Sequence, residues 1–175
     1  APAKVQSALL QAMQEKRISI ATETFELSEP FLVLATQNPV ETEGTYSLPE
    51  AQVDRFLFKV LVGYPTPVEE MEILQRAEGL DIPDDAKPVL RPKQVIEARA
   101  EAQSAFLDEK VKQYIVALVQ ATREPGAVGL AELKPLLRYG ASPRATLALA
   151  AAGKAEAFLE GRAFVSPDDV KAVAH

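Results

Sequence analysis

The sequence contains no cysteine, and its single histidine is the last residue, His175. The first absence excludes a disulfide framework, a thiolate zinc site and a cysteine nucleophile. The second leaves no means of building a histidine-based triad or metal cluster. No apolar run approaches the ~20 residues that span a bilayer. The opening APAKVQSALLQAMQEK has neither an apolar signal core nor a cleavage-site pattern, so the cytoplasm is the expected compartment. A glycine-rich phosphate loop is missing in both common forms, GxxxxGK[ST] and GxGxxG. Basic charge is in deficit too: 19 Lys and Arg against 25 Asp and Glu leave a net charge of −6. A broad footprint for nucleic acid or an anionic membrane is therefore not expected.

What remains is a globular composition, 47% hydrophobic and 25% charged over 175 residues, enough for one or two domains with a core. Val5, Leu9 and Met13 fall at i, i+4 and i+8 and predict an apolar helical stripe at the start. RISIATETFEL then alternates, with Ile18 and Ile20 ahead of Phe25 and Leu27, as a short hairpin does. FLVLATQ (31–37) and FLFKVLVGYP (from 56) are apolar runs of strand length and predict strands buried on both faces. Between them, Ser47 and Glu50 have the spacing of a capping box ahead of a short helix. Beyond residue 65 the pattern becomes helical. Thr66-Pro67 with Glu69 starts one helix that ends at Gly79. KQVIEARAEAQ, DEKVKQYIVALVQATRE, PRATLALAAAGKAEAFLEG and PDDVKAV follow. The expected fold class is therefore α/β plus all-α, a small α/β part over 1–65 and a helical domain over 66–175. The α/β part supplies only half of a parallel sheet, since such strands need neighbours on both sides and helical crossovers.

Three residues stand out by position. Asn38, with Gln37 before it, sits at the end of an apolar strand, where α/β sheets border their ligand crevice and a carboxamide can orient water or a phosphate oxygen. An ordinary Asn-Pro turn explains the same residues. Arg55 ends the short helix of EAQVDRF, where a cation also suits the helix dipole. Arg144 is the anomaly. Ser142 and Pro143 are a cap and first residue, so Arg144 occupies a first turn that disfavours cations by roughly 0.3–1 kcal/mol. A phosphate would explain it, and so would a neighbouring carboxylate. The later start VSPDDVKAV follows the same Ser-Pro with Asp168 and Asp169 instead. The acidic run Glu69, Glu70 and Glu72 reads as a solvated face. Gly153 either costs its helix ~1 kcal/mol or permits a close contact.

Taken in order, APAKVQSALLQAMQEK, FLVLATQNPVETEGTYSLPEAQVDRFLFKVLVGYP, YIVALVQATR, GASPRA and GRAFVSPDDV resemble the MoxR family of AAA+ ATPases over essentially the whole chain. The resemblance implies the second half of an AAA+ α/β core, carrying a pre-sensor-1 hairpin at 17–28, followed by a helical lid. Ala21 and Thr22 stand where relatives often have glycine in that hairpin. It implies that Asn38 is sensor 1, positioning the attacking water. Arg55 resembles the arginine finger offered to a neighbouring subunit's nucleotide, and Arg144 looks like sensor 2. ATP and Mg²⁺ are implied for the complete protein, with Walker A and Walker B expected ahead of Ala1 and no tight nucleotide binding by this stretch alone. The implied partners are copies of itself in a ring, often a hexamer, and client proteins such as those with von Willebrand factor A domains. A non-catalytic adaptor built from an AAA+ lid is the competing reading. A DNA-contacting SPRATLAL helix is disfavoured, because 143–159 holds only two basic residues, Arg144 and Lys154.

Overall fold

The computed structural model describes residues 9–13, 15–20, 23–37, 49–78 and 87–174. The chain falls into two compact units, one of residues 58–91 and the other of 1–57 with 92–175.

In the larger unit, residues 9–13 are helical, and the buried side chains there are Leu10 and Ala12, each 3% exposed. Leu9, expected in the apolar stripe, is exposed. The Leu9-Leu10 pair gives this helix two adjacent apolar faces, and only packing chooses between them. The expected hairpin is present as β1 (Arg17–Ile20) and β2 (Glu23–Glu26), antiparallel with Ile18 opposite Phe25 and Ser19 opposite Thr24. Ser19 Oγ and Thr24 Oγ1 lie 3.1 Å apart, and Arg17 pairs with Glu26 at 3.3 Å. The tip at Ala21 and Thr22 lies outside the described residues.

The hairpin is the only sheet among the described residues. The parallel strands expected at 31–37 and 57–62 are therefore not formed as a ladder. A strand apolar on both faces depends on partners in both directions, and the described residues offer neither. Leu32 and Leu34 stay exposed. A short helix, α1 (Glu50–Val53), follows Pro49 without a side-chain cap; Ser47, its expected cap, lies outside the described residues.

The smaller unit holds α2 (Pro67–Glu78). Its cap is the expected one: the Thr66 N–H and hydroxyl donate to Glu69 Oε2 at 2.7 and 2.8 Å, and Thr66 Oγ1 accepts from the Glu69 N–H at 3.4 Å. These bonds, the backbone one foremost, hold the Glu69 carboxyl below its ordinary range. Glu70 and Glu72 are exposed as expected, with Glu72 paired to Arg76 at 3.5 Å. No residue of α2 is buried.

The packed core belongs to the helices of the larger unit: α3 (Pro92–Ser104), α4 (Glu109–Arg123), α5 (Pro143–Leu159) and α6 (Pro167–Ala172). Two 3₁₀ turns, Pro125–Val128 and Ala131–Leu136, connect α4 to α5. Helix α5 is the hub, packing on α3, α4 and α6. Ala105, Val111, Ile115, Ala157, Val165 and Val170 form the core. Gly153 is the close-contact case of its two readings, for a Cβ there would lie 3.3 Å from Val165 Cγ1.

The starts of α4, α5 and α6 are each capped by a side chain next to them. Asp108 accepts from the Lys110 N–H at 2.8 Å, and Ser166 forms a capping box with Asp169. Asp169 is 3% exposed. It accepts from Arg162 Nη1 at 2.8 Å, from Arg162 Nη2, and from the Ser166 N–H and hydroxyl at 2.7 and 2.9 Å. The Arg162 bonds foremost hold its carboxyl down at about 2.

Candidate functional site

The site builds from two helix ends. Asp54 closes α1, its N–H donating to Glu50 O at 3.0 Å. Ser142 begins α5, its Oγ accepting from the Arg144 N–H at 3.1 Å. A carboxylate at a helix C-terminus and a guanidinium at an N-terminus each sit on the wrong side of their own dipole. Here they meet. Ser142 Oγ donates to the Asp54 carboxylate, 2.7 Å from Oδ1 and 2.8 Å from Oδ2. Arg144 Nη1 lies 3.5 Å from Asp54 Oδ2, with the two side chains 47% and 33% exposed. Of the two explanations open for Arg144, the neighbouring carboxylate is realised in this structure.

The loop ahead of α5 is fixed to the end of α4. A Cβ on Gly140 would fall 2.6 Å from Arg123 Cγ and 2.8 Å from Arg123 Cα, so only glycine allows this approach. Thr122 Oγ1 accepts from the Ala141 N–H at 2.9 Å, and Arg123 Nε donates to Ala141 O at 2.8 Å. Arg138 Nη1 reaches Glu50 Oε1 at 4.0 Å. Each letter of GASPR thus has its own physical role, in order close approach, loop anchoring, capping, helix entry and charge presented beside α1.

Arg55 follows Asp54 and is half-buried. Its backbone N–H donates to Gln52 O at 3.2 Å, but its Nε is buried with no hydrogen-bond partner, as is Gln52 Oε1. An unmet buried donor costs ~1–3 kcal/mol, so Nε is not spent capping the carbonyls of α1. Asn38 lies outside the described residues. Arg55 and Arg144 therefore converge on one element, the end of α1, one as the residue after Asp54 and the other as its ion-pair partner.

Residues 1–58 match the ATPase family associated with various cellular activities (AAA), and residues 131–175 match the AAA lid domain. The chain is 49% identical over 170 residues to Chaperone MoxR1 of Mycobacterium tuberculosis, covering 97% of this chain and 45% of that protein. The chain belongs to the MoxR family of AAA+ ATPases. The uncharacterized Bacillus subtilis protein YeaC is 43% identical over 171 residues, covering 98% of this chain and 51% of its own length. A crystal structure of a Cytophaga hutchinsonii protein superposes with a TM-score of 0.89 at 46% identity, covering 99% of this chain and 52% of that one. The chain thus spans about half the length of the curated relatives it matches. Its fold class is that of the family, part of an AAA+ core with a helical lid.

For a MoxR-family chain, a nucleoside triphosphate suits the arginines found here: Arg144 is half exposed on a long ion pair, and Arg55 has an unpaired Nε. Magnesium has no such match. Among the described residues no group of three or more Asp, Glu, His or Cys could hold a metal ion. No described helix is long and apolar enough to cross a membrane.

Sequence reasoning singled out both arginines and missed Asp54, Gly140, Thr122 and Arg123, which hold them. One signal was available for Asp54. The start SPDD carries its own anions in the first turn, whereas SPRA carries a cation. An anion for the SPRA start has to come from elsewhere in the chain or from a ligand.

Proposed function

We propose that this chain supplies the phosphate-sensing and lid elements of a MoxR-type ATPase, which couples ATP hydrolysis to remodelling or activating client proteins. Residues 1–65 are the core portion and 66–175 the lid. Arg144 binds the phosphates of the nucleotide in its own subunit. Asn38 orients the attacking water, and Arg55 reaches the nucleotide of the next subunit in a ring, taken as a hexamer. Clients with von Willebrand factor A domains and a cytoplasmic setting complete the reading.

The observation that carries it is Arg144, a cation fixed in the first turn of a 17-residue helix by Ser142 and Gly140. Its exposed ion pair contributes at most ~1 kcal/mol, too little to account for so elaborate a mount. A planar guanidinium at a helix start presents N–H donors beside backbone N–H groups, and the set suits phosphate oxygens.

In the intact ATPase, Arg144→Ala should remove much of the thermal stabilisation produced by a non-hydrolysable ATP analogue. The nucleotide-free melt should change by less than ~1 kcal/mol. Equal lowering of both melts would refute the phosphate role. Arg55→Ala should leave nucleotide affinity largely intact and cut turnover steeply, since fingers contribute roughly 10³–10⁵ in rate in GTPases. Mixing such subunits with subunits whose own nucleotide site is dead should restore part of the activity; normal turnover without mixing would reduce Arg55 to a structural residue. The purified 175-residue chain should not hydrolyse ATP, because it holds no phosphate-cradling loop. Magnesium-dependent turnover by that chain would overturn the reading.

A further inference from the structure

Asp54 occupies the place where an anion is favoured, beside the first turn of α5. Both its carboxylate oxygens accept from Ser142 Oγ, at 2.7 and 2.8 Å. The guanidinium of Arg144 stands farther off, at 3.5 Å, beyond the ~2.7–2.9 Å of a tight charge-assisted hydrogen bond. The carboxylate is thus held firmly by the cap, and the guanidinium rests on it loosely. A hydroxyl donor and an arginine at a helix start are also the donors that a phosphate oxygen takes. Arg138 Nη1 of the loop before α5 and Glu50 Oε1 of the same short helix lie 4.0 Å apart, both side chains exposed.

We propose that Asp54 is an internal stand-in for phosphate: a positioning residue that holds Arg144 when no nucleotide is bound and competes for it when one arrives. The proposal rests on the reading of Arg144 as a phosphate-binding residue. Removing the charge of Asp54 frees Arg144 and tightens nucleotide binding, the opposite of what loss of a merely structural contact would do. Since both side chains are partly exposed, the effect is modest, about two- to five-fold in affinity.

The test is binding of a non-hydrolysable ATP analogue to the intact ATPase, measured by titration calorimetry. Four proteins are compared: the parent, Asp54→Asn, Arg144→Ala and the double variant. Asparagine keeps an oxygen to accept from Ser142 and removes only the charge. The expected result is two- to five-fold tighter binding for Asp54→Asn, weaker binding for Arg144→Ala, and no effect of Asp54→Asn once Arg144 is gone. Unchanged or weaker binding by Asp54→Asn overturns the stand-in role while leaving Arg144 as a phosphate ligand. Tightening that persists without Arg144 overturns it as well, for the carboxylate would then act on the nucleotide by simple repulsion. Unaltered affinity in Arg144→Ala removes the underlying reading itself. Asp54→Ser, which also keeps an acceptor, carries the same expectation if the asparagine variant does not fold; failure of both to fold would overturn the proposal by making the carboxylate a requirement of the fold.

Discussion

Ile115 and Leu34 lie in apolar runs of similar character, YIVALV and FLVLATQ, yet one is 1% exposed and the other 87%. The difference lies in where each segment finds its backbone partners. Helix α4 satisfies its N–H and C=O groups within itself, so it needs neighbours only along one stripe, and Val111, Ile115 and Val119 supply that stripe. Residues 31–37 and 58–62 need ladder partners from elsewhere before their side chains can be covered, and among the described residues they have none. Val60, Leu61 and Val62, between 77% and 91% exposed, repeat the behaviour of Leu34 in the second unit. Apolar sequence alone does not make a core; it does so only where hydrogen bonding is already settled.

The largest test of this contrast is hydrogen exchange on the monomeric 175-residue chain. Amides in 109–123 and 143–159 should be protected by orders of magnitude more than those in 31–37, since exchange there needs opening of the core. Equal strong protection in both would break the comparison. Truncation sharpens it. Ile115→Ala should cost about 2–5 kcal/mol in denaturant unfolding, while Leu34→Ala should stay within about 0.5 kcal/mol. Similar costs would place hidden packing at Leu34.

Acid provides a third contrast, because Asp169 is held at about 2 by Arg162 and Ser166. A depressed carboxyl stabilises the fold above its unfolded value of 3.8 and loses that contribution as pH falls toward about 2. The shift corresponds to about 2 kcal/mol at neutral pH. Stability measured from pH 5 to pH 2 should therefore decline more steeply in the parent than in Asp169→Asn; parallel slopes would contradict the assignment. A pair of glycines gives a fourth contrast. Gly140→Ala forces a Cβ onto the backbone of Arg123 and should cost about 1–3 kcal/mol, whereas Gly63 has nothing within 4 Å of a Cβ and its alanine variant should shift stability by less than about 0.5 kcal/mol. A neutral Gly140→Ala would mean that the loop before α5 is free to move.

Much of this architecture was legible in advance. The caps at Thr66, Ser142 and Ser166 are local devices, fixed by residues at most three positions apart. The hairpin was legible from its alternation, though its register, Ile18 opposite Phe25, comes from the structure. Arg144 was legible as an anomaly because its neighbours in sequence define the helix start that it opposes. What answered the anomaly was not legible, since Asp54 lies 88 residues away from Ser142 in sequence. The same holds for Gly140, a loop residue whose neighbour Arg123 ends helix α4.

The sequence by itself thus determined the helices with their caps, the hairpin, the excluded chemistries and the identity of the arginines worth asking about, because each depends on interactions within a few residues of chain. The tertiary structure decided which of two adjacent leucines turns inward, that the strand-like runs go unpaired among the described residues, and that Arg144 rests on Asp54. Those outcomes depend on which distant groups meet, and period and composition carry no information about distance in space.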